Sequence, residues 1–382
     1  MNRSSYMLSA LALVACTAVS GGIAYGQEDS LLSKTQLHGF GRWHYGRTSE
    51  PNVYLGGTPE GEFGNAALAL STSSQLSSKL GIYTQLEAVT GEEEVELELD
   101  FAFASWKFSD LAVAKAGSVK LPFGIWTEIF DVGTVRPFID LPQGVYGPVG
   151  TVGERYQGFG LSGQGGDRWR VRYDAYFGGL TLGENETPEA VLVEQEDEVV
   201  GEELLSEHEH SLRNMAGGRV VVETPVTGLS LGASAYTGVD THSGDRRSAW
   251  GGQAEFLSGP WAIRSEYVGG TTPDDDRRGV YFEAARRLGR WEVAGRYDWF
   301  KATLNDLDED DDEQESSLLR HESFSVGLNY WFSPEFAIKA NYHRVDGNRL
   351  AAPPVDQVEE IFEAGLLNPK TNAFQIGAQF SF

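Results

Sequence analysis

The last eleven residues of the chain alternate between apolar and polar side chains. One parity holds Phe374, Ile376, Ala378, Phe380 and Phe382, and the other holds small or polar residues. A period of two predicts a β-strand with one apolar face and one wet face. The apolar face here includes the final residue, whereas the ends of soluble domains usually fray. The stretch therefore favours a strand of a transmembrane barrel, with lipid outside and water inside, over a strand of a soluble sandwich.

Similar alternation recurs along the chain between turn residues. The clearest segments are Glu94–Phe108, Trp169–Gly178, Leu229–Val239, Trp261–Val268, Trp291–Phe300, Phe324–Phe332, Phe336–Arg344 and the terminal strand. Weaker segments are Thr35–Tyr45, Asn65–Ser73, Lys79–Val89, Leu111–Val119, Arg155–Gly163, Met215–Glu223, Arg247–Leu257 and Val280–Leu288. Together they predict an all-β fold, a transmembrane antiparallel β-barrel of about 16 strands.

Short and long connections alternate between these strands. Short turns such as Ser109-Asp110 and Gly289-Arg290 alternate with long segments at about 46–64, 120–154, 179–212, 302–322 and 346–371. Aromatic residues recur directly after short turns, at Trp169, Trp261, Trp291 and Phe336. Short turns on one rim, long loops on the other and aromatic girdles are typical of barrels that span an outer membrane. Aromatic packing in a sandwich core, the alternative, does not explain their position after the turns.

The segment Glu94–Phe108 carries the clearest separation of charge from apolar side chains. One parity holds Val95, Leu97, Leu99, Phe101 and Phe103, and the other holds Glu94, Glu96, Glu98 and Asp100. Four carboxylates on one face could not be buried in a dry core without partners. We expect the carboxylates to face a water-filled lumen and the apolar parity to face lipid.

Composition narrows the choice of partner. The chain has 30 Lys and Arg against 56 Asp and Glu, a net charge of −26, and 41% apolar residues. Nucleic acid is excluded as a partner because binding phosphate needs a basic surface. No linker divides the chain, so we expect one barrel domain over 27–382, surrounded by outer-membrane lipid and lipopolysaccharide.

The amino-terminal segment 1–26 reads as an export signal. Arg3 precedes an uncharged stretch, and Ala24-Tyr25-Gly26 provides a small-x-small cleavage site. The only cysteine, Cys16, lies inside this segment, so the mature barrel would have no disulfide. A lipoprotein box ending at Cys16 is the alternative interpretation.

Two acidic runs lie in the long connections 179–212 and 302–322. Glu184–Glu209 contains no Lys or Arg, and Asp306–Glu315 is nearly all Asp and Glu. Such runs are usually solvated, so we predict extracellular loops. Alternatives are shared divalent cations with lipid phosphates, or weak transition-metal binding by His208 and His210. Because neither run has the ligand order of a calcium loop, we expect no metal and no cofactor.

Basic side chains on the polar parity of several strands are candidate pore-lining groups. They are Arg42, Arg170, Arg172, Arg264, Arg296 and Lys339. At a common height they could form a basic track that attracts anions through a narrow, low-dielectric passage. Alternatively they are solvated, or paired with Asp174, Glu266, Glu283 and Glu292. Glu96, Glu98 and Asp100 would line another part of the wall.

The segment 120–154 is unusually apolar for an exposed loop. Its apolar residues include Phe123, Trp126, Phe130, Phe138 and Leu141, which must be buried somewhere. We predict that this third long loop folds into the lumen, and a subunit interface is the alternative. The charged residues left to border the passage are Lys120, Glu128, Asp131, Arg136 and Asp140.

Four runs are distinctive, and they begin at Lys120-Leu-Pro-Phe-Gly, Asp131-Val-Gly-Thr-Val-Arg-Pro-Phe, Leu141-Pro-Gln and Ser333-Pro-Glu-Phe-Ala-Ile-Lys-Ala. These runs resemble the phosphate-selective porin family and related Gram-negative outer-membrane porins. The resemblance implies a homotrimer of sixteen-stranded barrels, an inward third loop, and passive diffusion of small, often anionic solutes. The loop offers Lys120 and Arg136 against three acids, which argues against strong phosphate selectivity.

The sequence thus predicts a passive outer-membrane channel, not an enzyme, for small hydrophilic solutes, with a preference for anions such as phosphate or small carboxylates. A barrel lipase or protease is one alternative, and it would need a Ser–His pair with a third orienting residue. His38 and His343 are on the lumen parity, but no nucleophile motif accompanies them, so we predict no catalytic residue. An adhesive or structural barrel is the other alternative.

Overall fold

The computed structural model describes residues 34–49, 52–64, 66–90, 95–184, 209–272, 275–304, 313–354, 357, 361 and 364–382. The export signal with Cys16 lies outside these residues, and so do most of both acidic runs, including His208. Only the backbone of Glu313–Glu315 and of the ends of the flanking strands is described there.

Antiparallel β-strands form most of the described chain. The strands are β1 (Thr35–Thr48), β2 (Glu62–Phe63), β3 (Ala67–Gln75), β4 (Leu80–Thr90), β5 (Val95–Ser109), β6 (Ala112–Lys120), β7 (Arg155–Gly165), β8 (Arg170–Glu184), β9 (Glu209–Glu223), β10 (Leu229–Asp240), β11 (Arg246–Ser258), β12 (Trp261–Thr271), β13 (Asp275–Leu288), β14 (Trp291–Leu304), β15 (Arg320–Ser333), β16 (Phe336–Asp346) and β17 (Lys370–Ser381). Each predicted segment corresponds to one of the long strands.

The sheet closes on itself. Each long strand pairs with its neighbours in chain order, and β17 returns to β1 in a register from Phe40↔Ser381 to Thr48↔Ala373. The strand β2 has only two residues and pairs with β1. The other sixteen strands form a closed antiparallel barrel, so the prediction of a barrel is confirmed and a two-layer sandwich is excluded.

The two faces of the wall have opposite chemistry. On β15, Phe324, Val326 and Leu328 are exposed, whereas Ser323, Ser325 and Asn329 of the other parity are buried. Exposed apolar residues continue on neighbouring strands, with Trp291 and Val293 on β14. In a closed barrel this apolar face is the outer one, in contact with hydrocarbon, and the polar parity faces inward.

The strand β5 does not keep one parity along its length. Leu86 of β4 pairs with Leu99, but Gln85 pairs with Phe101, so the register shifts by one residue at Asp100. A bulge of this kind reverses the face of every residue beyond it. The prediction that Phe101 and Phe103 face lipid is therefore wrong: both lie on the inner face, and Ala102 and Ala104 face outward.

Helical structure in the described residues is short. Two 3₁₀ turns, Thr127–Ile129 and Gly133–Val135, and a one-turn helix, Gln143–Tyr146, lie in the connection between β6 and β7. Another helix, Glu313–Leu318, precedes β15. None of the helices in the part of the chain that is described is long and apolar enough to cross a membrane.

The largest buried apolar cluster joins the connection 121–154 to the barrel wall. The connection contributes Leu121, Phe123, Trp126, Leu141 and Val145, and the wall contributes Tyr156, Tyr176, Leu212, Met215, Tyr236 and Tyr281. These apolar side chains are covered by the chain's own wall, which supplies the burial that the sequence required.

Substitution of Gly41 is expected to weaken the seam between β1 and β17. A Cβ atom at Gly41 would overlap the ring of Phe380 on the outer face. We expect Gly41→Ile to lower the free energy of unfolding by about 1–3 kcal/mol, the usual cost of overpacking. Urea-induced unfolding in lipid vesicles, followed by tryptophan fluorescence, measures this change.

Gly295→Ile is the matched control for this seam variant. Gly295 lies on the outer parity of β14, where a Cβ atom would meet no neighbour nearer than 4.0 Å. Because isoleucine favours strands, we expect this variant to be as stable as the parent or more stable. Equal loss of stability in both variants would contradict the role assigned to the Phe380 ring.

Candidate solute passage

One lysine of the wall holds the middle of segment 121–154. Lys339 of β16 has no exposed surface, and its Nζ donates to the backbone oxygens of Gly133 at 2.8 Å, Arg136, and Phe138 at 3.5 Å. Gln379 of the adjacent strand donates to the oxygen of Ile139 at 3.0 Å. The carbonyls of an irregular segment need donors when they are buried, and these two side chains supply them.

A buried carboxylate holds the start of the segment. Glu266 of β12 accepts the backbone N–H of Ile125 at 2.8 Å and the hydroxyls of Tyr146 and Tyr281 at 2.7 Å each. The indole N–H of Trp126 donates to the Tyr281 hydroxyl at 2.9 Å. Burial, and then the Glu266 charge, raise the pKa of Tyr146, so it stays a donor. Hydrogen bonds satisfy the acid here without a basic partner.

Two arginines of the predicted basic track pair with acids beneath the same segment. Arg296 contacts Glu283 at 2.6 Å and donates to the oxygen of Asp140 at 3.0 Å, while its guanidinium lies 4.2 Å from the ring centre of Phe138. Arg264 contacts Glu255 at 2.7 Å and Glu283 at 3.4 Å. The structure thus brings Arg264, Arg296 and Lys339 under one segment, where they are buried.

A second ionic cluster gathers around Lys120. Its Nζ lies 2.7 Å from Asp100, 3.2 Å from Asp131 and 2.5 Å from Glu154. Gln85 donates to Asp100 at 2.6 Å and to Asp131 at 2.7 Å. Burial opposes ionisation of Asp131, but Lys120, Arg42 and these hydrogen bonds lower its pKa. The three carboxylates are close enough to hold a metal ion, but the ammonium lies among them and serves as their cation.

The remaining charged residues of the segment have separate partners. Arg136 is buried and donates to the backbone oxygen of Phe130 at 2.7 Å, and burial, assisted by the Arg42 charge, lowers its pKa to about 10. Asp140 accepts from Gln375 at 2.8 Å. Glu128 pairs with Arg219 of β9, which also contacts Asp174 at 2.9 Å.

Other predicted residues are accessible. Arg42 lies 3.8 Å from Glu87 and is one-third exposed, and Arg170 and Arg172 each lie 3.8 Å from the single carboxylate of Glu223 and are more than half exposed. Glu96 is exposed, and Glu98 pairs with Arg155. The eight predicted basic residues are therefore divided between buried anchors and accessible charges.

Sequence reasoning missed several groups that the wall contributes. Gln85, Glu154 and Arg219 complete ionic clusters, and Tyr281 shares the Glu266 carboxylate. Tyr281 and Arg219 lie on the inner parity of predicted strands, so parity could have indicated them. Nothing in the sequence shows which inward residues the segment covers.

Comparisons with known proteins agree with this architecture. Residues 221–382 match the family model of phosphate-selective porin O and P. The fold is similar to an anion-selective porin from Comamonas acidovorans, with 12% identity and a TM-score of 0.57 over 91% of this chain and 99% of that one. The carboxy-terminal part of the chain thus matches a porin family, and the barrel has the fold of known porins.

Other solved structures have a similar fold. One is the outer membrane channel DcaP of Acinetobacter baumannii, with 10% identity, a TM-score of 0.56, and 94% of this chain and 100% of that chain covered. Another is the trimer form of OmpT of Vibrio cholerae, with 11% identity, a TM-score of 0.52, and coverages of 91% and 99%. No curated protein sequence matches the chain.

Among the described residues, Ser325 and His343 form a Ser–His pair that burial closes to a substrate. Ser325 Oγ lies 2.8 Å from His343 Nδ1, and His343 Nε2 lies 3.2 Å from Gln375 Oε1. Both Ser325 and His343 are buried, and Gln375 is neutral. A nucleophile must contact its substrate, so this pair belongs to the polar packing behind segment 121–154 rather than to a catalytic site.

Removing the Lys339 ammonium is expected to loosen segment 121–154. In Lys339→Met the oxygens of Gly133, Arg136 and Phe138 lose their shared donor, and each unsatisfied buried group costs about 1–3 kcal/mol. We expect amide hydrogen exchange at residues 133–139 to accelerate at least tenfold. Mass spectrometry of peptic fragments from the reconstituted barrel measures this rate.

Lys301→Met, which removes an exposed lysine of β14, is the control and should leave exchange at 133–139 unchanged. Exchange that is equally slow in both variants would show that Lys339 does not anchor the segment.

Proposed function

We propose that this barrel is a passive channel for small hydrophilic solutes, with a weak preference for anions such as phosphate or small carboxylates. We also propose that segment 121–154 narrows the channel from inside. The observation that carries the proposal is that the segment's hydrogen bonds go to wall side chains of the polar parity, such as Lys339, Glu266 and Asn341. That parity faces the lumen of a closed barrel.

The anchoring contacts indicate which side of the lumen is occupied. Between Phe123 and Val149 the segment contacts side chains of β10, β12, β14, β16 and β17. On the opposite side its polar contacts include Asp131 with Gln85 of β4, and Glu128 and Gly124 with Arg219 of β9. We place the open passage between segment 121–154 and the inner face of β1 and β3–β8.

Anion preference would come from the basic residues that remain accessible on that side. Arg170 and Arg172 share one carboxylate, and Arg42 is only loosely paired. Partly paired cations beside a low-dielectric wall attract anions, but screening keeps the effect small at physiological salt. The excess of carboxylates around Lys120 opposes it, which supports weak selectivity rather than tight phosphate binding.

The oligomeric state belongs to the same proposal. We propose a homotrimer embedded in outer-membrane lipid and lipopolysaccharide, since a trimer form is described for OmpT of Vibrio cholerae. The closed wall gives each subunit a passage of its own, so a trimer would conduct in three equal steps.

Reversal potentials in a salt gradient across a planar bilayer test this proposal. We expect Arg172→Ala to lower the chloride-to-potassium permeability ratio about twofold, because a unit charge near the passage contributes a few tenths of a kcal/mol under screening. Arg264→Ala should alter the segment's stability more than this ratio, because Arg264 is buried between Glu255 and Glu283.

The control is Arg286→Ala, which removes the same charge from the outer face beside Trp261. Its permeability ratio should equal that of the parent. A folded barrel that shows no conductance steps would refute the channel, whereas an unchanged ratio in Arg172→Ala would refute only the source of anion preference.

A further inference from the structure

The bulge in β5 places aromatic side chains on the inner face of the barrel, where a water-filled channel needs only polar ones. Beyond Asp100, Phe101 and Phe103 lie on the inner face, and Tyr83 of β4 pairs directly with Phe103. The rings of Tyr83 and Phe103 stack at 5.0 Å with an interplanar angle of 17°, and Phe101 lies 5.8 Å from Phe103. We call these three residues the aromatic strip.

The aromatic strip is only half covered. Each of its side chains is partly exposed, whereas the aromatic residues under segment 121–154, such as Trp126 and Phe138, are almost completely buried. Gly117 of β6 pairs with Phe103, and a Cβ atom there would meet the Phe103 Cβ at 3.0 Å. The nearest atoms would be Ala102 O and, at 2.8 Å, Phe103 Cα, so glycine lets β6 lie close to β5 beside Phe103.

Segment 121–154 also presents apolar groups away from its anchors. Phe130 is partly exposed and packs, as Phe103 does, against the large apolar cluster. Ile129 and Val135 are 37% and 44% exposed. Apolar side chains therefore lie both on segment 121–154 and on the wall formed by β4 and β5. Water in contact with these apolar surfaces is held only weakly.

A basic side chain borders the strip. Lys115 of β6 pairs with Ser105, which lies two residues from Phe103 on the same inner face. Residues that are diagonal neighbours on paired strands, as Lys115 and Phe103 are, lie roughly 7–8 Å apart. Lys115 is partly exposed, and the described residues include no ion pair with it. A free ammonium beside an apolar surface fits a solute that has one anionic group and one flat apolar face.

We propose that the aromatic strip and Lys115 form a binding surface for small aromatic carboxylates crossing the channel. The ring of the solute stacks on Tyr83 and Phe103, and its carboxylate contacts the Lys115 ammonium. This inference rests on the proposed channel function and adds a solute class to it. An inorganic anion gains only the charge interaction, whereas an aromatic carboxylate also gains stacking on the rings.

Current block by benzoate, with acetate as reference, tests the proposal in full-length protein reconstituted in planar bilayers. We expect benzoate to reduce the chloride current at lower concentration than acetate does. Phe103→Leu and Tyr83→Leu keep an apolar side chain but remove the ring, and each should raise the benzoate dissociation constant about three- to tenfold while leaving acetate unchanged. Lys115→Gln should weaken both anions by a similar factor.

The matched control is Phe159→Leu, which removes a ring from the outer face of β7, where the side chain is 70% exposed. Benzoate should block the current through this variant at the same concentration as in the parent. Equal block by benzoate and acetate in the parent, or an unchanged benzoate constant in both ring variants, would overturn the proposal and leave the strip as packing alone. If the folded parent protein showed no potassium chloride conductance at all, that result would instead refute the proposed channel function.

Discussion

Every backbone N–H and C=O in a membrane-spanning sheet must find a partner within the protein, because hydrocarbon offers none. This requirement explains the closed register between β17 and β1, in which Gly39 and Phe382 exchange two backbone hydrogen bonds of 2.9 Å. Once the wall is closed, its outer face needs only apolar side chains. The inner face is then free to carry charge.

The inner face has two different uses for charge. Beneath segment 121–154, Lys339, Arg296 and Glu266 are buried, and their worth is structural, since they satisfy carbonyls and amides that would otherwise be unpaired. On β1 and β8, Arg42 and Arg172 remain accessible, which is what the proposed attraction of anions requires. The same residue type thus has two roles, and the covering segment decides which role each residue takes.

Period-two patterning was sufficient to predict the strands, because one face of each strand meets lipid and the other does not. It predicted all sixteen long strands. The aromatic residues that follow short turns indicated the rim at which the short turns lie. It failed in β5, because a bulge changes parity without changing composition. It also could not divide the basic residues, since Lys339 and Arg172 have the same parity, and only three-dimensional contacts distinguish them.

The seam has a consequence for biogenesis. All the other long strands lie between β1 and β17 in the sequence, so the loop to be closed is long, and closure must follow synthesis of β17. Until then β1 and β17 each present an unpaired edge, which is a template for association with other chains. A polypeptide of this design needs protection during its transit to the membrane, and its carboxy-terminal strand is the part most exposed to mispairing.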